Sequence, residues 1–352
     1  MTDGPMLNLL TDIPGIRVGH AGDEALRSGV TAILFDRPAV AAASLLGGAP
    51  ASREAASLEL EMTVEHVQAV VLSGGSTYGL DATAGVQAAL REDFAARPVP
   101  GLIRVPIVVQ ASLFDLANGG DKGWGRYSPY AGLGYEAARA AGTGRFALGS
   151  IGAGTGATTA TLKGGLGSAS TTTPEGHRVA ALVAVNAVGT ATVGDGPHFW
   201  SAPFERDAEF GGLGLPPALP EDALRLRVKP AATWGTTIGI VVTDASLTVQ
   251  QARRLAILAQ DGVARAVLPA HLPRDGDTVF GVSTGARPLV GGDPELSGLC
   301  LAATLVMARA VARGVFEARS QGRPGEQACW HRRFGTPDPG DASTGSGSSH
   351  AL

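Results

Sequence analysis

Asp275 and Asp277 stand on either side of Gly276 in RDGDTVFGV, directly before an apolar run. Asp-Gly is first a hairpin-turn signal. The same residues also read as a pair of close carboxylates. Like charges that close push one pKa up, so one carboxyl can hold a proton while the other accepts a hydrogen bond. Upstream, ATWGTTIGIVVTDA sets Gly235 before Thr236 and Thr237 at the head of a second apolar run. It reads as a strand with a polar first turn, or as a place where the chain cuts itself. A threonine hydroxyl is a poor nucleophile at neutral pH and needs a base. A cut before Thr236 would supply one, because an N-terminal α-amine has a reference pKa of about 7.7–8.0. Asn186 interrupts the apolar run LVAVNAVG, where a buried amide must find partners, unless it marks a bulge or strand end. Lys163, in TLKGGLG, is a lone cation among small residues. It reads as a surface lysine, or as one whose glycine neighbours let it lie under a substrate or carboxylate.

Three further stretches match patterns of known chemistry. GAGTGA at 152–157 satisfies the dinucleotide fingerprint G-x-G-x-x-A, but a Thr/Gly-rich stretch follows, and Glu175 precedes the next strand instead of ending it. GVSTG at 281–285 satisfies G-x-S-x-G, with Asp293 and His331 downstream in the chain order of an α/β-hydrolase triad. The elbow needs a helix after the serine, and ARPLVGGDPEL follows instead. VLSGGSTYGLDATAGV reads as strand, glycine turn and helix. Its Gly74, Gly75 and Ser76 form an ordinary βα turn or offer backbone N–H groups to an anion or oxyanion.

The elements that must position these residues follow from hydrophobic patterning. Short β-type runs recur at 30–35, 68–72, 103–109, 179–188, 237–242 and 278–282, and several are apolar throughout, which implies strands covered on both faces. Helices are expected at 80–96, 130–141, 248–266 and 301–318. Thr248 and Gln251 form a capping box at the start of the third. The alternation predicts mixed α/β layers, and no composition break marks a linker. The chain has 352 residues, 44% apolar and 17% charged, enough for a large core. Glycine numbers 50, about twice the usual share near 7%, so close backbone approaches are expected. Cys300 and Cys329 make neither a disulfide framework nor a zinc site and fit a reducing compartment. The start lacks the features of a signal peptide, and no run of about 18 apolar residues predicts a spanning helix. The net charge of −4 without basic clusters argues against nucleic acid. A cytoplasmic protein is therefore expected, and the Gly/Ser/Pro-rich segment 336–352 is expected to be a disordered tail.

Taken together and in order, LTDIPGIRVGH, LSGGSTYGLDATAGV, GSIGAGTGATTATLKGGLGSAS, AVNAVG, GTTIGIVVTDA and DGDTVFGVSTG resemble the L-aminopeptidase/D-esterase family of self-processing N-terminal-nucleophile hydrolases, which also contains nylon-oligomer hydrolases and β-aminopeptidases. The resemblance spans roughly residues 7 to 318. It implies an αββα sandwich in one domain, residues 1–335, cut at Gly235–Thr236 into chains 1–235 and 236–352 that stay together. It implies Thr236 as nucleophile, Asp275 and Asp277 as its flanking acidic pair, and Lys163 and Asn186 nearby, Asn186 as a candidate oxyanion donor. Gly74, Gly75, Ser76 and Phe114 are expected at the substrate, Phe114 standing where some members carry a tyrosine. No metal or organic cofactor is implied. The expected partners are a short peptide or amide substrate with a free amine and further copies of the cleaved pair, without nucleic acid or membrane. Two other readings stay open at this point: an ornithine-acetyltransferase-like acyl transferase, and a non-catalytic homologue that binds a small molecule.

Overall fold

Strands buried on both faces carry apolar residues on both, and β-branched valine and isoleucine suit that pleated surface. The computed structural model describes residues 5–96, 103–230, 234–320, 322–323 and 325–335, so the expected tail at 336–352 lies outside them. The elements in chain order are β1 (Ile16–Asp23), β2 (Ser28–Leu45), β3 (Ala51–Arg53), β4 (His66–Ser73), α1 (Ser76–Gly79), α2 (Ala82–Ala96), β5 (Val108–Ser112), α3 (Tyr130–Arg139), β6 (Gly165–Thr172), β7 (Arg178–Asn186), β8 (Thr236–Ala245), α4 (Val249–Ala266), β9 (Thr278–Arg287), α5 (Gly292–Phe316) and α6 (Trp330–Phe334).

Hydrogen bonding connects the strands in the order β3-β5-β4-β2-β9-β8-β7-β6, with β1 on the remaining side of β2. The long strand β2 folds this sheet into two leaves. Its first half pairs with β1 and β4, and Val40–Leu45 pairs with β9. The register shifts between Leu34 and Ala39, where Asp36, Arg37 and Pro38 are exposed. Pro38 has no N–H to give a ladder and suits such an interruption.

The inner faces of the leaves meet in one core, where Ile33, Val70, Leu72 and Val109 join Leu182, Ile238, Ile240 and Phe280. On one outer face α2 and α3 cover Val30, Ala32 and Val71 with Val86 and Leu133. On the other, α4 and α5 cover Val183, Val241 and Val279 with Leu255, Val263, Met307 and Val311. The result is the expected αββα sandwich. Along β7 the alternation is visible residue by residue: Ala180, Leu182 and Ala184 face the inner core, and Val179, Ala181, Val183 and Val185 face the helices.

Two boundaries depart clearly from expectation. The strand expected at 103–109 spans Val108–Ser112, beyond Pro106. The helix expected at 301–318 starts at Gly292, because Asp293 and Pro294 occupy its first turn, where a missing proline N–H costs nothing. That longer helix is apolar enough to cross a membrane by length and composition, yet most of it is buried as a core element. The capping box at Thr248 and Gln251 forms as expected, with reciprocal bonds of 3.2 and 2.9 Å.

Candidate active site

β7 ends on Asn186, β8 begins on Thr236, and the two are cross-strand partners. Directly opposed residues in an antiparallel pair share a face of the sheet. Thr236 is buried, and its hydroxyl donates to the carbonyl oxygen of Gly235, the carbonyl of the peptide bond that joins the two residues. The same oxygen accepts the backbone N–H of Gly276 at 3.1 Å. That bond belongs to a short parallel bridge between Gly235 and Asp275, so the DGD turn lies against the Gly235–Thr236 bond.

The two aspartates hold main chain around Thr236 and make no hydrogen bond to its hydroxyl. Asp277 accepts the Thr237 N–H at 2.6 Å and, on its other oxygen, the His271 N–H at 3.1 Å, with His271 Nδ1 2.8 Å away. Asp275 accepts the N–H groups of Val188 at 3.1 Å and Leu272 at 2.9 Å. Burial, and next the charge of Asp277, push Asp275 up to about 6. Gly276 between them is required by space: a Cβ there would lie 2.8 Å from Ala49 O and 2.9 Å from Thr236 Oγ1. The hairpin reading of Asp-Gly is thus replaced by a turn closing onto β8.

Asn186 is satisfied on both ends of its amide. Its Oδ1 accepts from the Thr158 N–H at 3.0 Å and from Lys229 Nζ at 2.9 Å, and its Nδ2 donates to Phe114 O at 2.9 Å. Lys163 is buried, and its Nζ donates to Thr155 O at 3.0 Å and lies 3.8 Å from Glu326 Oε1. Burial lowers its pKa, and the Glu326 carboxylate opposes that shift.

Phe114, Thr158, Lys163, Lys229, Trp234 and Glu326 line one cavity of about 720 Å³. Asn186 is bonded to three of these residues. Gly74, Gly75 and Ser76 do not line that cavity. Their N–H groups are spent on Gly29 O, on Asp115 Oδ1 and on Leu113 O, which makes the turn structural. Asp115 itself borders the cavity, buried and held by Ser28 Oγ at 2.6 Å. Ser283 of the GVSTG stretch sits inside β9, where its hydroxyl donates to Ala245 O and accepts the Leu247 N–H. Neither it nor the 3-10 turn at Gly152–Gly154 forms the site its motif suggested.

Sequence reading missed Lys229, Asp115, His271 and the N–H of Gly276. Lys229 lies in RLRVKP, which carries no pattern, and a backbone N–H carries no residue-type signal at all.

A family model described as peptidase family S58 matches residues 8–328. A protein of Mycobacterium tuberculosis described as an uncharacterized aminopeptidase is 39% identical over 335 residues, 89% of this chain and 95% of its own. A 6-aminohexanoate-oligomer endohydrolase of Agromyces sp. is 29% identical over 285 residues, 78% of this chain and 74% of its own. Among solved structures, a Burkholderia sp. β-aminopeptidase superposes with TM-score 0.69 at 23% identity, covering 95% of this chain and 93% of its own. The L-aminopeptidase D-Ala-esterase/amidase of Ochrobactrum anthropi, described as a variant of the Ntn hydrolase fold, gives 0.65 at 21% identity, covering 91% and 89%.

Proposed function

The chain belongs to peptidase family S58 and is a hydrolase of peptide or amide bonds, and from that premise we propose that it is a self-processing enzyme whose nucleophile is Thr236. The observation that carries this reading is the placement of the Thr236 hydroxyl against the Gly235 carbonyl, which also accepts the Gly276 N–H.

In the first reaction, Thr236 Oγ adds to the Gly235 carbonyl carbon. The oxyanion that develops on Gly235 O is stabilised by the Gly276 N–H already directed at it. The C–N bond breaks, the nitrogen takes the hydroxyl proton, and an ester joins Gly235 to Thr236 Oγ. Water hydrolyses the ester and leaves a Gly235 carboxylate and a free Thr236 α-amine. In the second reaction that amine accepts the hydroxyl proton as Thr236 attacks a substrate carbonyl. The leaving amine departs protonated, and water releases the acid from the acyl-enzyme. Asn186, opposite Thr236, is the side-chain donor for this second oxyanion, and Lys163 lines the cavity that receives the substrate. Asp277 fixes the first peptide of β8 through the Thr237 N–H, so the nucleophile enters both reactions in one position.

The substrates that fit are short peptides and amides with a free amine, including oligoamides. A panel of L-, D- and β-amino-acid amides and short linear polyamides tests this. Release of the amine by wild type, and its loss in Thr236→Ala, is the expected result. Full activity in Thr236→Ala would remove Thr236 from the mechanism.

A further inference from the structure

Lys229 is a buried cation in the segment just upstream of the proposed cut, and the mechanism above gives it no role. Its Nζ donates to the backbone oxygen of Asn186 at 3.0 Å and to Asn186 Oδ1 at 2.9 Å. Its own N–H donates to Val188 O at 3.0 Å, and the Val188 N–H is the one held by Asp275. Lys229 is therefore fastened to the end of β7 by main chain and side chain together. We propose that Lys229 is a positioning residue of the hydrolase, which fixes and polarises the Asn186 amide opposite Thr236. The inference rests on Asn186 being the side-chain oxyanion donor.

An amide side chain can turn over and exchange its oxygen and nitrogen. Here two donors, the Thr158 N–H and the Lys229 ammonium, converge on Oδ1 and fix which end is which. Nδ2 then presents two N–H groups, and one is bonded to Phe114 O. The second is available for an oxyanion. A cation on the oxygen of an amide draws electron density from its nitrogen, so its N–H groups become stronger donors, and burial amplifies the effect. The same ammonium lies where burial lowers its pKa to about 7, against the opposing charges of Asp275 and Asp115. Those two carboxylates are the charged groups facing it, and Lys163 lines the same cavity. The polarising charge is present below that value and is lost as pH rises through it.

The test is a double-mutant cycle in the full chain. Wild type, Lys229→Met, Lys229→Arg, Asn186→Ala and the Met/Ala double variant are purified, and their cleavage is quantified by intact mass. Then kcat and KM are measured on L-Ala, D-Ala and β-Ala p-nitroanilides between pH 5.5 and 9. Loss of a direct oxyanion donor costs roughly 10²–10³-fold in kcat, so loss of its polarising partner is expected to cost on the order of 10-fold to 100-fold with KM little changed. Lys229→Arg restores most of kcat and removes the fall in activity above pH 7. The double variant is no slower than Asn186→Ala. Wild-type kcat in Lys229→Met, or losses that multiply in the double variant, would overturn the inference and leave Thr236 as nucleophile untouched. If Lys229→Met folds but does not mature, Lys229→Gln, which keeps a donor for Asn186 Oδ1 without the charge, takes its place in the cycle, and if wild type hydrolyses none of the three anilides the cycle is run on an amide of the substrate panel that it does cleave. Losses in kcat that do not multiply with Asn186→Ala then support the inference, and wild-type kcat or multiplying losses overturn it.

Discussion

Gly276 donates its backbone N–H to the carbonyl oxygen of Gly235 at 3.1 Å, so the residue between the two aspartates is bonded to the residue before Thr236. Both positions are glycine for lack of room. A Cβ on Gly235 would lie 2.3 Å from Val188 N, and one on Gly276 would lie 2.9 Å from Thr236 Oγ1.

Gly276→Ala is therefore expected to slow or abolish self-cleavage while the chain keeps its helical and sheet content. Overpacking of this kind costs about 1–3 kcal/mol, which a domain of this size survives. Circular dichroism and a time course of intact mass check it together. A folded Gly276→Ala protein that matures at the wild-type rate would contradict the contact.

Asp275 is expected to set the acid limb of activity. Burial and Asp277 raise its pKa to about 6. Above that value its carboxylate accepts two N–H groups and opposes the charge of Lys229; as pH falls through about 6 it takes a proton and both effects weaken. A plot of kcat/KM against pH is expected to fall on the acid side near 6. Asp275→Asn should have a lower plateau and lack that limb. An unchanged limb in Asp275→Asn would assign it to another group.

The stability of the sandwich depends on the seam between its leaves. Phe280 is fully buried there. Phe280→Ala, made in a Thr236→Ala background so that one uncut chain unfolds, is expected to cost about 3–5 kcal/mol in a denaturant titration. A loss below about 1 kcal/mol would mean that the leaves do not pack through this ring.

Much of the sandwich is legible in the sequence because doubly buried strands must be apolar throughout. Ile238, Ile240, Val241 and Val242 announce β8, and the box at Thr248 and Gln251 announces α4. β6 is not legible. Its sequence GLGSASTT is small and polar because the backbone of α5 crosses it closely: a Cβ on Gly167 would lie 1.9 Å from Ala310 O. At the site, Thr236, Asp275, Asp277, Lys163 and Asn186 could be named by resemblance to a family and from their residue types. The donors that complete the arrangement could not. The Gly276 N–H exists as a site feature only through a bridge between distant segments, and Lys229 gains its partner Asn186 only through the fold. Phe114 contributes its carbonyl to Asn186, a role its side chain does not signal.

Thr236 and Thr237 are adjacent and both buried, and only the first touches the Gly235 carbonyl. The Thr237 hydroxyl is buried with no hydrogen-bond partner among the described residues. Replacing it with the isosteric methyl of valine removes an unpaired polar group and should be neutral or slightly stabilising.

Intact mass spectrometry of wild type, Thr236→Ala and Thr237→Val, each purified and incubated at neutral pH, tests the central claim most directly. Wild type and Thr237→Val are expected to give two chains, residues 1–235 and 236–352, and Thr236→Ala a single uncut chain of 35.6 kDa. A wild-type chain that stays whole yet hydrolyses amides, or a Thr236→Ala chain cut between 235 and 236, would contradict it.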